Sequence, residues 1–267
     1  MEYLGYFLSF LVGISLGLVG SGGSILMIPI LVYLMQIPAH IATTYSLFIV
    51  GVSSLIGSYQ GIKSKILEYK IVLYFGIPSI IFIFLMRKYV MPILPDNVII
   101  FLGIIITKNN LIMLVFSVVM IFASFSMIKI KLPEKLETEK KINLKNIFFK
   151  GILVGILSGF VGVGGGFLII PTLVFSAKLE MKKAVATSLA IISFNALIGF
   201  VGSLGNVNMD WLFLSRFTFF AVVGILVGIY LSKKISNEHL KPAFGWFILI
   251  IGIYIMIQET ILSSFIH

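Results

Sequence analysis

Two glycine-rich stretches, each inside a long apolar run, contain the residues of this chain best suited to chemistry. The first reads GSGGSILMIP over residues 20–29, and the second reads GVGGGFLIIP over residues 162–171. Glycine is a poor residue for a helix interior, so each stretch favours an interrupted helix. Where a helix restarts, its first backbone N–H groups are unpaired and carry partial positive charge. Such ends bind small anions without a cationic side chain.

We therefore predict an anion site built from both breaks and from polar groups on the spans around them. The predicted members are Gly20, Ser21, Gly22, Gly23, Ser24, Thr44, Ser46, Gly162, Gly164, Gly165, Gly166, Thr187, Ser188, Asn195 and Arg216. The hydroxyl groups have an alternative role, because in membrane helices they commonly bond to a carbonyl of their own helix. Arg216 is either an anion ligand or an interfacial side chain that reaches the membrane surface.

Composition excludes several kinds of catalytic and cofactor chemistry. The chain has no cysteine, which removes thiolate catalysis and cysteine-bound metal centres. It has no G-x-x-x-x-G-K-[ST] loop for nucleotide phosphates. An intramembrane hydrolase with Ser21 or Ser24 as nucleophile stays an alternative, but it needs a general base, and none of the three histidines is expected at membrane depth. We predict no enzyme activity, no cofactor and no metal.

The elements that position these residues are predicted to be membrane-spanning helices. Hydrophobic residues make up 59% of the chain and charged residues 11%, with mean hydropathy +1.13. A soluble domain carries roughly 25% charged residues. We predict an all-α polytopic protein, multi-pass in the cell membrane, with seven to ten crossings. The apolar segments are 4–35, 38–61, 69–87, 90–128, 147–177, 184–205, 211–232 and 241–263.

The net charge of +10 comes from lysines in short connections between apolar segments. Basic connections stay on the cytoplasmic side of a membrane, so we interpret this charge as topological and predict no nucleic-acid partner. The first apolar segment lacks a basic region before it and a small-residue cleavage site. We therefore expect a retained span rather than a removed signal peptide.

The two halves of the chain look like copies of one unit. Residues 13–69 align without a gap to residues 155–211, and about one position in three is identical, including the glycines and the proline of each break. We predict a first repeat over 1–128, a hydrophilic lysine-rich linker over 129–150 and a second repeat over 151–267, together forming one membrane domain. Each repeat has about four spans, and its first helix is broken. Matching broken helices in duplicated halves indicate a transporter site at the interface between the repeats.

The basic connections predict that the two repeats are inverted relative to each other. The connection after the second span carries Lys63, Lys65 and Lys70 in the first repeat and no lysine in the second. The connection before that span has the reverse pattern. If each broken segment crosses once, however, no topology places every basic connection on one side. A re-entrant broken segment, or an extra crossing within 90–128, would resolve this conflict.

At these residues the chain resembles the sulfite exporter TauE/SafE family of bacterial and archaeal membrane permeases. The resemblance covers most of the chain and rests on residues 17–29 and 159–171, on Ala-Thr-Ser-Leu at 186–189, and on the Asp210-Trp211 pair. It implies transport of small sulfur-containing anions such as sulfite, sulfonates or thiosulfate, and no enzyme activity. The first half departs from the fuller glycine pattern at Ser21 and Ser24.

We thus expect a secondary transporter, a permease or exporter, that carries a small anion by alternating access around the two breaks. An anion channel and a membrane scaffold stay as alternatives. The expected partners are the anionic solute, the lipid bilayer and a coupling proton, and a homodimer is one option for the assembly. Glu68 and Asp210, at matched positions before spans, are predicted to cap helix N-termini, with proton coupling as the alternative.

Overall fold

A computed structural model describes residues 2–101, 104–129, 143–205, 207–232, 234 and 237–262 of the chain. The predicted all-α membrane fold is confirmed. Within the described residues, eight helices are long and apolar enough to cross a membrane, and two shorter apolar helices accompany them. Many large apolar side chains on the long helices are exposed, as expected for a surface that faces lipid. The chain is therefore a multi-pass membrane protein.

The helices are numbered α1 to α10 along the described part of the chain, and three of them change their hydrogen-bonding pattern along their length. Their bounds are Glu2–Val19 (α1), Ser21–Leu26 with Met27–Pro29 and Ile30–Leu34 (α2), Ala39–Lys63 (α3), Tyr69–Leu85 with Met86–Val90 and Met91–Ile93 (α4), Lys108–Lys129 (α5), Leu144–Val161 (α6), Gly166–Phe175 (α7), Met181–Ser203 (α8), Trp211–Ser232 (α9), and Asn237–Ile257 with Gln258–Leu262 (α10). Between α4 and α5, strands Asn97–Phe101 (β1) and Ile104–Thr107 (β2) pair antiparallel.

Glycines with positive φ end α1 and α6 at the predicted breaks. Gly20, after Val19, has φ +77°, and Gly162, after Val161, has φ +84°. Residues with a Cβ adopt this left-handed region at a cost of roughly 1–2 kcal/mol, whereas glycine adopts it freely. The chain then restarts as a 3₁₀ turn at Ser21 in the first half and as α7 at Gly166 in the second.

Each interrupted segment folds back on itself as a helical hairpin. A Cβ atom added at Gly5, near the start of α1, would lie 2.6 Å from Sδ of Met35, just after α2. In the second half, Lys150 near the start of α6 donates a hydrogen bond to Ser176, just after α7. Each hairpin therefore begins and ends at the same end of the helix bundle. Of the two arrangements considered for the basic connections, this is the re-entrant broken segment.

The alternative of an extra crossing within 90–128 is wrong. Lys108, Asn109 and Asn110 form the first turn of α5, so this stretch contains one long helix preceded by the β-hairpin. The predicted linker over 129–150 is also too long at its carboxyl-terminal side, because α6 begins at Leu144. Residues 130–142 lie outside the described part of the chain.

The helix order defines two ends of the bundle. One end, here called the amino-terminal face, contains Glu2, Ala39, Ile93, Lys108 and Trp211. Here Lys108 Nζ donates to the Met91 carbonyl at 2.5 Å, and the Asp210 N–H donates to the Tyr45 hydroxyl at 2.8 Å.

The opposite end is here called the lysine-rich face, because it receives almost all of the basic connections. Its contacts include an ion pair of 2.9 Å between Lys183 and Glu68. Among the lysine and arginine residues that the structure describes, all but Arg87, Lys88, Lys108 and Arg216 lie at or near helix ends at this face. The conflict over basic connections thus disappears once the broken segments are re-entrant.

Glycines at four-residue spacing bring helices from opposite halves into close contact, as is typical of a small-xxx-small pattern in membrane helices. A Cβ atom at Gly13 would lie 2.1 Å from the carbonyl oxygen of Ala221, so α1 and α9 touch backbone to backbone. A Cβ at Gly155 would lie 2.6 Å from the carbonyl oxygen of Ser79, which joins α6 to α4 in the same way. A side chain at either glycine would push the helices apart.

Exchanging the two halves maps the main helix contacts onto one another. The pair α1 and α9 becomes the pair α6 and α4, while the pairs α2 with α7, α3 with α8 and α5 with α10 map onto themselves. Hydrogen bonds follow the same rule. The Glu68 N–H donates to the Thr187 hydroxyl at 3.2 Å, and the Asp210 N–H donates to the Tyr45 hydroxyl at the equivalent positions.

Candidate anion site

The tip of the second hairpin lies directly against a buried arginine. A Cβ atom added at Gly162 would lie 2.3 Å from Nη2 of Arg87 and 2.4 Å from Cβ of Thr43. Only a residue without a side chain therefore fits between α3 and α4 at this point. The glycine's positive φ and this close approach both explain why the hairpin turns here.

Arg87 is 3% exposed, although it carries a full positive charge inside a membrane helix. Its Nη1 donates to the Thr43 hydroxyl at 3.1 Å, and Thr43 in turn donates to the His40 carbonyl at 3.0 Å. The Nε and Nη2 atoms of Arg87 have no hydrogen-bond partner among the described residues. A buried charge with unsatisfied donors is costly, which marks the residue as a functional candidate.

The backbone around Arg87 is also irregular. Residues Met86–Val90 form a π-helical turn inside α4, closed by the Met91 N–H on the Met86 carbonyl. Pro92 follows and has no N–H with which to continue the α-helical pattern. Single π turns inside helices are frequent at functional sites, because they re-aim side chains relative to a regular helix.

A cavity of about 260 Å³ opens beside Arg87 at the amino-terminal face, and it is here called the Arg87 cavity. Its lining residues come from the ends of four helices and the connections after α4 and α8: His40, Thr44, Arg87, Met91, Pro92, Asp96, Lys108, Ser203 and Val207. The lining is rich in polar groups and includes two cations and one carboxylate. Such a set suits a small, negatively charged solute.

A second cavity, of about 330 Å³, opens at the lysine-rich face. Its lining includes Gly61, Lys182, Ala186 and Ile229, which are the repeat equivalents of Ser203, His40, Thr44 and Arg87. We call it the Ile229 cavity. The tip of the first hairpin lies nearby, because a Cβ at Gly20 would be 2.9 Å from the Val185 side chain. The two halves thus build equivalent cavities at opposite ends of the bundle.

The structure does not bring the two glycine breaks, predicted to build one anion site, to the same pocket. The return helices α2 and α7 do pack against each other, but Gly20 lies near the lysine-rich end of α8 and Gly162 lies near the amino-terminal end of α3. The physical reason is length. Helices α1 and α6 have 18 residues each, or about 27 Å at 1.5 Å per residue, which carries each tip well past the membrane centre.

Most predicted glycines have packing partners within or beside their own hairpin. A Cβ at Gly23 would lie 2.2 Å from Ser15 Oγ, and a Cβ at Gly165 would lie 2.3 Å from Ser158 Oγ, so each tip is held tightly to its own first helix. Gly22 faces Met127, and Gly164 faces Ala196. Gly166 is buried at the first position of α7. These residues shape the tips without lining either cavity.

The predicted hydroxyl residues divide between local bonds and the cavities. Thr44 lines the Arg87 cavity and donates to the His40 carbonyl at 3.2 Å. Thr187 accepts the Glu68 N–H, and Ser188 donates to the Val185 carbonyl at 2.8 Å. Ser24 and Ser46 are fully buried. Ser21 begins α2, and its side chain lies outside the described part of the chain.

The two remaining predicted members line neither of the two cavities. Asn195 is fully buried in α8 and donates from Nδ2 to Ser79 Oγ at 2.7 Å, which ties the two halves together. Arg216 is exposed on the outer surface of α9, so the structure does not bring it into either cavity. Its placement agrees with the interfacial interpretation.

Sequence reasoning missed Arg87, which has the most unusual environment of the described basic residues. It lies within the run FLMRKYVMPIL, where its neighbour Lys88 and the nearby prolines suggest the end of a span. A signal was nonetheless present. Repeat alignment carries Arg87 onto Ile229, so a charge in one half replaces an apolar residue in the other. A buried charge that breaks an internal symmetry is a candidate for function.

Comparison with known proteins finds a matching family model and several relatives described as membrane transporters. The family model described as "Sulfite exporter TauE/SafE" matches residues 6–255. A probable membrane transporter protein of Methanocaldococcus jannaschii is 28% identical over 93% of this chain and 92% of its own length. A probable membrane transporter protein of Xylella fastidiosa is 27% identical over 92% and 91% of the two chains, and the Bacillus subtilis protein YdhB, of the same description, is 28% identical over 85% and 87%. No solved structure matches the chain significantly.

Proposed function

The chain belongs to the TauE/SafE family of membrane transporters, and from that premise we propose that it is a secondary transporter for a small sulfur-containing oxyanion. The substrate is of the sulfite, sulfonate or thiosulfate class, and it moves by alternating access between the Arg87 cavity and the Ile229 cavity. The observation that carries this proposal is the pair of equivalent cavities at opposite faces of the bundle.

The exchanged packing of the two halves supports this transport cycle. The first repeat begins at the amino-terminal face and the second begins at the lysine-rich face, while their helices pack in exchanged pairs. In such an arrangement the inward-open and outward-open states are related by exchanging the conformations of the two halves. The hairpin tips at Gly20 and Gly162 are suited to act as the elements that close one cavity while the other opens.

Orientation follows from the distribution of basic residues. Because basic connections remain in the cytoplasm, the lysine-rich face is cytoplasmic in this proposal and the Arg87 cavity opens to the outside of the cell membrane. The solute therefore meets a net positive, polar lining on the outer side. On the inner side the cavity contains Lys182 together with the amide of Gln60 and the hydroxyls of Ser64 and Ser232.

Flux measurements in proteoliposomes test this function. Purified protein in vesicles loaded with sulfite, thiosulfate or sulfoacetate should exchange the labelled anion in a saturable manner with counterflow, and a pH gradient imposed across the vesicle tests coupling to protons. Chloride and acetate serve as control anions. A current that never saturates would indicate a channel, and the absence of flux for all three sulfur anions would refute the proposed substrate class.

A further inference from the structure

We propose that the Arg87 guanidinium is the charged ligand of the transported oxyanion, held bidentately through Nε and Nη2 at the base of the Arg87 cavity. This inference rests on the proposed function and specifies where its substrate binds. The anion site is then asymmetric between the two halves, because the first half supplies Arg87 and the second half has Ile229 at the equivalent position. We call this a one-sided site. The glycine breaks then shape the site instead of supplying its main charge.

The free hydrogen-bond donors of Arg87 have the geometry that an oxyanion requires. Nε and Nη2 lie on the same edge of the planar guanidinium, and this is the edge that grips two oxygen atoms at once. Both atoms lack a partner among the described residues, while the other edge is occupied by the bond from Nη1 to Thr43. The protein thus fixes the orientation of the side chain and leaves this edge unpaired but buried, so an anion reaches it only when the hairpin tip at Gly162 moves aside.

The surroundings favour an anion over a neutral solute at this point. Lys108 lines the same cavity, and Asp96 is the only acidic residue among the lining groups that the structure describes. The polar residues His40 and Thr44, both from α3, also line this cavity. A buried guanidinium within a low-dielectric region interacts strongly with an opposite charge, so a bound anion compensates the desolvation of Arg87.

The hairpin tip gives the site a means of coupling binding to movement. Gly162 lies against Nη2 of Arg87, because a Cβ added there would be 2.3 Å from that atom. An anion that binds this edge therefore contacts the turn between α6 and α7 as well as α4. In the first hairpin the equivalent turn at Gly20 faces the aliphatic side chain of Val185 and not a cation. Anion binding acts on one hairpin tip directly and on the other through the repeat interface.

Variants of Arg87 and its neighbour Lys88 test the inference. Lys88→Gln is the matched control, because Lys88 is an exposed adjacent cation whose ammonium lies 5.4 Å from the Phe84 ring centre. The probes are sulfite, thiosulfate and sulfoacetate, and the readouts are anion-dependent thermal stabilisation and the KM for counterflow. Arg87→Gln should weaken anion binding about 10- to 100-fold, in line with the loss of a charged bidentate interaction. Lys88→Gln should change it less than about twofold.

A second readout separates ligand binding from a structural role. Arg87→Gln removes an unpaired buried charge, so the anion-free protein should unfold at a higher temperature than wild type, while stabilisation by the anion is lost. Arg87→Lys keeps the charge without the bidentate edge and should bind with intermediate affinity. If Arg87→Gln fails to fold, Arg87→Lys alone carries the test through its KM.

The outcomes distinguish this inference from the function on which it rests. If the wild type neither binds nor transports the three probes, the proposed substrate class is wrong. If the wild type binds them and both Arg87 variants bind equally well, the inference about Arg87 is overturned while the transport function stands. Equal losses in Arg87→Gln and Lys88→Gln would also overturn it, because they would indicate a general effect of surface charge.

Discussion

The two hairpin tips differ more in what they touch than in how they are built. Both end a helix of 18 residues at a glycine with positive φ, and both hold a second glycine against their own first helix. Gly162 meets a buried arginine, whereas Gly20 meets the side chains of Val185 and Ile170. The comparison teaches that the two halves build their tips in the same way, while only the tip of the second hairpin lies against a buried charge.

The largest effect is expected from Gly162→Ala. The new Cβ would overlap Nη2 of Arg87 and Thr43, and the φ of +84° adds strain, so anion binding and transport should both be abolished. Gly205→Ala is a matched control, because Gly205 also has a positive φ, +88°, but no atom of the described residues other than its chain neighbours lies within 4 Å of its added Cβ. Counterflow and anion-dependent thermal stabilisation measure the difference.

Gly20→Ala sharpens this comparison from the other hairpin. Its added Cβ would meet the apolar side chains of Val185 and Ile170 instead of a guanidinium, so anion binding should persist while transport slows. Loss of anion binding in Gly20→Ala to the same extent as in Gly162→Ala would show that the tips are functionally equivalent, against the one-sided site.

A smaller effect is expected from Thr43→Val, which removes the hydroxyl that orients Arg87 without changing the volume of the side chain much. The guanidinium loses the 3.1 Å bond from Nη1, so the KM for counterflow should rise by several-fold, with little change in the maximal rate. The matched control is Thr218→Val, which removes a buried hydroxyl that bonds to the Leu214 carbonyl of its own helix at 2.7 Å and should leave the KM unchanged. A rise in KM for Thr218→Val alone would contradict the assignment.

The architecture was largely predictable from the sequence, because membrane helices need long apolar runs and glycines with positive φ leave a recognisable pattern. Hydropathy could not reveal the direction of the return helices α2 and α7. Re-entry depends on tertiary contacts such as that between Gly5 and Met35, which no local pattern encodes. The distribution of lysines contained part of the answer, since re-entrant hairpins are one of the two arrangements that place the basic connections on one face.

The candidate site was predictable only in part, again because tertiary contacts are not encoded in local sequence patterns. The glycine tips were found because glycine runs are rare in membrane helices, whereas Arg87 resembled an ordinary interfacial residue near the end of a span. Its burial arises from α3 and the tip of the second hairpin, which contribute Thr43 and Gly162. Arg216 is the reverse case. Its position inside a span suggested a site residue, but its side chain is exposed on the outward face of α9.

The smallest effects are expected at Glu68 and Asp210, which occupy equivalent positions but use their carboxylates differently. Asp210 Oδ1 accepts the Phe213 N–H at 3.0 Å and caps α9, as predicted, whereas Glu68 makes no side-chain cap and instead pairs with Lys183 at 2.9 Å. The capping prediction for Glu68 is therefore wrong. The longer glutamate side chain reaches across to the other half, where the basic start of α8 provides its partner.

This difference predicts unequal losses of stability. Asp210→Ala should lower the free energy of unfolding by about 1 kcal/mol, the typical value of an N-cap. Glu68→Ala should lower it by less than about 0.5 kcal/mol, since its ion pair is more than one-third exposed on both sides and is screened by solvent. Thermal unfolding in detergent at low and high salt measures both, and only the Glu68 variant should lose its difference from wild type as salt rises. If salt instead abolished the Asp210 effect, the carboxylate there would act through charge and not as a cap, and the two repeats would be more alike than their hydrogen bonds indicate.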